Sequence, residues 1–413
     1  MMDAATDKTS VLVIDDDELT LSLIEAVLDK AGFSVQTMSD SENALHAIEQ
    51  SRPDVILSDL MMPKVDGFEL CQSVRENKDL DDTRFIVVSA KAYASDEVRA
   101  RELGADGFIR KPINPETFSD SLLAIINDQV SLTFWGVRGT LPKTGAGALK
   151  YGGNTSCVTL EFPNQQLFIF DGGSGIKELG NRLMADKKRR INAKLFISHP
   201  HWDHINAIPF FAPLYKQGNE FEILGAKQGD ITMRELISAQ MDGVYFPITL
   251  TEFSARTYFR NLEEGTYDVA GIEVQTKLLA HPGRALGYRV NYNGRSICYI
   301  TDQELYLEDS DFFDQHYEKT IVEFIRNADV LITDSTYSDE EYKTKVGWGH
   351  SCISKVCEMA HRGTVKNLYL FHHDPDQDDA AIDAKYDAAC AGLEKLDSSV
   401  TCVAPREGDQ FKL

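Results

Sequence analysis

Over the first 130 residues, short apolar runs alternate with segments in helical spacing. Val11-Leu12-Val13-Ile14 is apolar throughout and predicts a strand buried on both faces. Leu19–Lys30 has helical periodicity and meets a helix stop at Ala31-Gly32. Val55–Ser58, Phe85–Val88 and Gly107–Arg110 repeat the strand theme, and a helix over about Pro115–Asp128 closes the segment. Strands alternating with helices imply a parallel, doubly wound sheet. From residue 130 onward the chain turns strand-rich, with frequent glycine turns. Val130–Phe134 begins a strand almost at once, and no Gly/Ser/Pro-rich linker precedes it. We therefore expect domains over 1–129 and 130–413, in close contact. Val158–Phe162 and Leu167–Phe170 flank Pro163-Asn164 as a hairpin, and Leu195–Ser198, Ile297–Thr301, Val330–Thr333 and Leu368–Phe371 each run into polar residues.

Bulk composition narrows the function classes. The chain has 413 residues, enough for two or three domains, and 43% hydrophobic residues, as ordinary globular protein does. No apolar run approaches the roughly 20 residues of a membrane helix. The start, Met1 to Asp7, is acidic without an apolar stretch and does not read as a signal peptide. Seven cysteines without short paired spacing fit thiols in a reducing cytoplasm. A net charge of -23 argues against a long nucleic-acid footprint. It leaves room for a small anionic substrate, because bound cations outweigh distant carboxylates locally.

In a doubly wound sheet, functional groups collect at the carboxyl ends of the strands. Asp15, Asp16, Asp59, Ser89 and Lys111 all fall there. Single acids at such positions are usually helix caps, but five matched residues at four strand ends make a phosphorylation site. Asp15, Asp16 and Asp59 would hold Mg²⁺ through oxygen ligands, Asp59 would be the nucleophile, Ser89 would bind a phosphoryl oxygen and Lys111 would pair with the new charge. The segments VLVIDDD, DLMMPKVDG, VVSA and FIRKP resemble the receiver domain of two-component response regulators over residues 9–129. The resemblance implies a flavodoxin-like fold, Asp59 as phospho-acceptor, Phe108 as the aromatic that switches with Ser89, and a sensor histidine kinase or phosphotransfer protein as partner.

The densest chemistry lies in His199-Pro200-His201-Trp202-Asp203-His204, at the exit of an apolar strand. Imidazoles and a carboxylate crowded there suit zinc or a similar divalent ion, and the density suggests two ions. The chain has ten histidines. Beyond the cluster, His281, His350, His372 and His373 stand beside strand ends or glycines, whereas His46, His316 and His361 read as surface residues.

The second domain resembles the metallo-β-lactamase superfamily, an αββα sandwich, over about 130–413, and within it the branch of tRNase Z and related phosphodiesterases. The resemblance implies that His199, His201 and His281 hold one metal, that Asp203, His204 and His372 hold the other, and that Asp302 bridges them. Asp171 and His373 would brace these ligands from behind. Zinc is the expected ion, with manganese or iron suited to the same donors. Asp203 and an Asp334–His350 pair would complete the catalytic set, His350 giving a proton to the leaving oxygen. Asp334 stands where the tRNase Z pattern has Glu. Phe134–Thr140 and Tyr151–Ser156 resemble the first strands of phosphodiesterase-like members, leaving Arg138 and Asn154 either to touch substrate phosphate or to stabilise turns. Gln377 stands where similar sequences often carry another His, a place to alter substrate contacts.

The leading reading is a response regulator with a dinuclear-metal hydrolase output, acting on cyclic nucleotides or small phosphodiesters and gated by phosphorylation of Asp59. The alternatives are a thioester or lactone hydrolase and a metal-containing adaptor without turnover. No membrane partner is expected, and pairing into a homodimer is left open.

Overall fold

The computed structural model describes residues 8–90, 94–163, 166–186, 190–244 and 246–413. The acidic start over 1–7 and Asn164 of the expected hairpin turn lie outside these. Two compact units emerge. One runs to Val130 and takes in Glu161–Gln166 and Lys412–Leu413; the other holds Ser131–Leu160 and Leu167–Phe411. No helix among the described residues is long and apolar enough to cross a membrane.

In the first unit β1 (Ser10–Ile14), β2 (Ser34–Met38), β3 (Val55–Ser58), β4 (Arg84–Ser89) and β5 (Gly107–Arg110) form a parallel sheet in the order β2-β1-β3-β4-β5. The helices are α1 (Glu18–Lys30), α2 (Ala44–Ser51), α3 (Gly67–Glu76), α4 (Ala94–Glu102) and α5 (Phe118–Ile126). The inner strands β1, β3 and β4 are buried almost throughout because both faces are covered, whereas the edge strand β2 is largely exposed. Leu12 and Ile14 enter one apolar cluster with Phe85 and Val87, while Val11 and Val13 enter another with Ile86 and Val88. Ile14 pairs with Ser58, so the residues that follow, Asp15 and Asp59, sit level at one edge of the sheet. Helix α5 is shorter than its periodicity predicts. The carbonyl of Asn114 accepts the amides of Thr117 and Phe118, and its side chain accepts that of Glu116, a turn that delays the helix start. Asp128, at φ 51°, ends it.

The second unit is built on two seven-stranded sheets. The first contains β6 (Ser131–Gly136), β7 (Cys157–Glu161), β8 (Leu167–Phe170), β9 (Asn192–Ile197), β10 (Glu220–Ala226) and β11 (Arg256–Leu262). The second contains β12 (Gly265–Val269), β13 (Ile272–Leu279), β14 (Ala285–Tyr292), β15 (Arg295–Ile300), β16 (Val330–Asp334), β17 (Asn367–Phe371) and β18 (Thr401–Val403). Strand β19 (Gln410–Lys412) returns to lie beside β6. Aromatic rings fill the space between the sheets: Phe170 lies 5.2 Å from Tyr299, Phe196 5.2 Å from Tyr288 and Phe134 5.5 Å from Tyr369. Aliphatic clusters pack helices on the outer faces, through Ile176, Leu179 and Leu183 on the first sheet and Ile321, Val356 and Leu393 on the second. This is the four-layer αββα arrangement. The parallel runs β8-β9-β10 and β15-β16-β17 bring several strand ends to one side of the sandwich. Across the layers, Tyr288 Oη donates to Ile197 O at 2.6 Å and Leu286 N to Ser198 O at 2.9 Å. The end of β9 is thereby pinned to β14.

Candidate metal centre

Six strand ends supply the site. Asp171 follows β8, the His199–His204 segment follows β9, His281 follows β13, Asp302 follows β15, Asp334 ends β16 and His372 follows β17. The structure brings these side chains into two adjoining groups that share Asp302: His199, His201, His281 and Asp302, and Asp203, His204, Asp302 and His372. In the first group His199 Nε2 and His281 Nε2 lie 2.8 and 3.1 Å from His201 Nδ1. Both also face Asp302 Oδ2, at 3.5 and 3.7 Å. In the second group His204 Nε2 and His372 Nε2 lie 3.0 Å from Asp203 Oδ2, and 3.2 and 3.1 Å from Asp302 Oδ1. One oxygen of Asp302 thus addresses each group.

The outward nitrogens of the rings fix which atoms point inward. His204 Nδ1 meets Asp171 Oδ2 at 2.8 Å, and His281 Nδ1 donates to the Gly349 carbonyl at 2.9 Å. His199 Nδ1 meets Ser198 Oγ and His372 Nδ1 meets Thr336 Oγ1, each at 3.1 Å. Asp171 is fully buried and also accepts Ser198 N, Ser198 Oγ and Tyr299 Oη at 2.7–2.8 Å. The Thr140 amide donates to Asp203 Oδ2 at 2.8 Å. Glycine is required beside His372, since a Cβ on Gly139 would lie 2.1 Å from its ring.

These donors fit divalent cations. Burial holds His199, His201 and His281 below the ordinary imidazole range, His199 well below it, so they present lone pairs. Three such nitrogens within contact of one another share no proton that serves them all. His204 Nε2 is buried without a hydrogen-bond partner, although two carboxylates face it. Burial by itself would lower His204, but Asp203, Asp302 and Asp171 outweigh it and push the ring well above its usual range. Asp203 and Asp302, which burial would raise, are held well below theirs by the surrounding imidazoles. Buried carboxylates and imidazoles converging in this way demand positive charge, which divalent metal ions would supply.

His350 stands at the edge of the centre. Its Nδ1 lies 2.7 Å from Asp334 Oδ2, and its ring stacks on His372 at 5.0 Å. Burial would lower His350, but Asp334 raises it to about 9. Asp334 also accepts Thr336 N and Oγ1 through its other oxygen, so its shorter side chain still reaches the imidazole.

Several other expected site residues lie elsewhere. His373 meets Lys385 Nζ at 3.0 Å, not a ligand, because it follows His372 on the chain and faces the other way. Arg138 is 0% exposed and donates to the carbonyls of Gly152 and Gln377, which makes it a turn-stabilising residue out of reach of substrate. Asn154 is tied to Glu407. Gln377 is buried and donates to Thr336 O and to Glu341, so it joins two loops and lines no open surface. His46 and His316 are exposed and His361 is half-buried.

The sequence reading also missed a residue behind the ligands. Glu304 is fully buried; its Oε1 accepts Tyr342 Oη and Gly347 N, and its Oε2 accepts Gly349 N, all at 2.7 Å. It clamps the loop that carries His350 and whose Gly349 carbonyl orients His281. Its proximity to Asp302 in sequence is the only signal that could have flagged it.

In the first unit Lys111 Nζ pairs with Asp15 Oδ2 at 2.6 Å and Asp59 Oδ1 at 2.9 Å. Asp16 is exposed, Ser89 is buried at the end of β4, and Phe108 is packed in the core of the unit. The Met61 amide donates to Asp59 Oδ2 at 2.6 Å.

Comparison with known proteins agrees with both units. Residues 11–123 match the response regulator receiver domain and residues 170–373 the beta-lactamase superfamily domain. The probable transcriptional regulator ycf27 of Guillardia theta is 35% identical over 119 residues, 29% of this chain and 46% of that protein. The alkaline phosphatase synthesis transcriptional regulatory protein PhoP of Bacillus subtilis is 37% identical over 116 residues, 28% of this chain and 48% of its own. The chain spans about half the length of these curated relatives. The metallo-beta-lactamase fold protein YhfI of Bacillus subtilis superposes with a TM-score of 0.51 at 16% identity, over 69% of this chain and 100% of that one, a likeness of fold. With that fold, its paired His/Asp groups and the aspartate-lined edge of the first sheet, this chain is a response regulator receiver domain joined to a metallo-β-lactamase-fold domain.

Proposed function

We propose that the second domain is a dinuclear-metal phosphodiesterase acting on cyclic nucleotides or small phosphodiesters, with its output set by phosphorylation of Asp59. The observation that carries this is the division of Asp302 between two ligand groups, with a paired acid, His350–Asp334, at their edge. Zinc is the ion we expect in both groups. Bound there, divalent ions would supply Lewis acidity and a water nucleophile at neutral pH. The chain's own residues do the rest. His350 delivers the proton that the departing oxygen needs, and Asp334 fixes its Nδ1 so that Nε2 faces the reacting group. Asp171, Thr336 and the Gly349 carbonyl keep the ligand imidazoles in one tautomer and one orientation.

In the receiver, Asp59 would attack the phosphoryl group of a phosphohistidine donor. The new O–P bond forms as the P–N bond breaks, and the imidazole leaves. Lys111 stands beside the acceptor oxygen, and Asp15, Asp16 and Asp59 would hold Mg²⁺. A histidine kinase or phosphotransfer protein is the partner this chemistry requires. The seven free cysteines support a cytoplasmic setting. The test is hydrolysis of bis-p-nitrophenyl phosphate by metal-loaded protein, with an Asp302→Ala variant inactive. Turnover of a thioester with no activity on any diester would reject the proposal.

A further inference from the structure

Trp348 is 58% exposed, although an indole gains more from burial than almost any side chain. Looseness does not explain it. Its neighbours Gly347 and Gly349 have φ of 85° and 87°, and their amides both donate to the buried Glu304 carboxylate at 2.7 Å. The turn is gripped from inside on both sides of the tryptophan, so the ring is displayed outward in a fixed place. Lys345 Nζ lies over one face of the ring, 4.0 Å from its centroid, so a planar partner would use the other face. The display adjoins the metal centre: the next carbonyl holds His281, and His350 stands two residues on. A second indole, Trp202, is 81% exposed between His201 and Asp203.

A flat aromatic face with a cation, beside a centre built for an anionic group, matches a planar base attached to a phosphate. We propose that Trp348 is a stacking platform for a nucleobase on the leaving-group side of a nucleotide phosphodiester. The side follows from His350, which serves the departing oxygen and lies in the same loop. This rests on the phosphodiesterase reading above and names its substrate class, a nucleotide diester. Stacking is tolerant of base identity, so the platform selects for a base without choosing which one.

The test uses the full-length, metal-loaded chain. With adenylyl-(3′,5′)-adenosine as substrate, Trp348→Ala should raise KM about tenfold, the scale of losing one base–aromatic stack, with the effect in KM more than kcat. Trp348→Phe should restore most of it. Independently, AMP should quench the tryptophan fluorescence of the wild type and much less that of Trp348→Phe, whereas methyl phosphate should not. Equal KM for the wild type and Trp348→Ala, or no quenching by AMP, overturns the platform. So does a concentration-dependent dimer lost in Trp348→Ala with KM unchanged, which would show that the indole covers a second copy. Quenching by AMP without cleavage of any diester would instead retain the platform and defeat the phosphodiesterase reading.

Discussion

Replacing Glu304 by Gln isolates the clamp behind the metal centre, because the two side chains have nearly the same shape. The carboxylate accepts Tyr342 Oη and Gly347 N on one oxygen and Gly349 N on the other. An amide offers one acceptor oxygen and one donor nitrogen. If its oxygen takes the Tyr342 and Gly347 side, its NH₂ faces the Gly349 amide. If it is flipped, Tyr342 can reverse its hydroxyl but the Gly347 amide is stranded. In the first case the stranded amide is buried and costs about 1–3 kcal/mol; in the second it belongs to the exposed Gly347 and costs less; in both the surviving bonds lose their charge assistance. The sum is roughly 1–3 kcal/mol. At about 2–4 °C per kcal/mol for a domain of this size, melting of the second unit should fall by about 2–12 °C. Because Gly349 O orients His281, metal affinity should fall about 10- to 100-fold, the usual effect of losing a residue behind a ligand. Thermal melting with and without added metal, together with competitive metal titration, reads both. A variant that melts within about 1 °C of the wild type and binds metal equally would refute the clamp.

Further outcomes follow from the same contacts. His350→Ala should slow an alkyl-leaving-group diester by about 10²–10⁴-fold and bis-p-nitrophenyl phosphate much less, since nitrophenolate departs without a proton; equal losses on both would remove His350 as proton donor. Lys385 is fully buried; burial lowers it to about 7, against the pull of Glu341, Asp334 and Asp374. The unfolded chain therefore binds more protons between about pH 7 and 10.5, so stability should rise with pH across that window in the wild type and not in Lys385→Met; parallel pH profiles of melting would contradict this. Asp59→Asn should abolish the phosphoryl adduct formed with acetyl phosphate, seen by intact mass, and equal turnover with and without beryllofluoride on the wild type would argue against gating. Chelation should lower melting of the second unit and abolish turnover, with both restored by Zn²⁺ or Mn²⁺; an unchanged melt would count against structural metal binding.

The strand ends were legible in the sequence because apolar runs are counted easily and polar residues after them stand out. Asp15, Asp59, Asp302 and His372 were found in this way. What braces the ligands was not legible. Tyr299 reaches Asp171 across 128 residues of chain and Thr336 reaches His372 across 36, and both lie in runs that read as ordinary strand or loop. Arg138, left open between substrate phosphate and a turn, takes the second role, because backbone carbonyls accept its Nε and Nη1 in the interior. The helix over about 115–128 shrank because Asn114 competes for the first amides, a local effect that periodicity does not register.

The backbone at the site shows what this arrangement costs. Asp171, Asp302 and His372 have φ of 61°, 33° and 61°, in the left-handed region that disfavours side chains. Each such residue costs on the order of 1–3 kcal/mol and persists only where its surroundings over-determine it. Glycine would take these angles more cheaply but would supply no oxygen or nitrogen. The surroundings are those that hold the ligands: four polar partners on Asp171, Thr336 on His372, and Thr301 Oγ1 at 2.7 Å from Asp302 Oδ1. A left-handed residue just past a strand turns the chain off the strand axis at once, so that ligands from neighbouring ends can converge. Strain gathered at these three residues, with a hydrogen-bond network in place to sustain it, is the expected signature of a site shaped for its ligand atoms at the expense of stability.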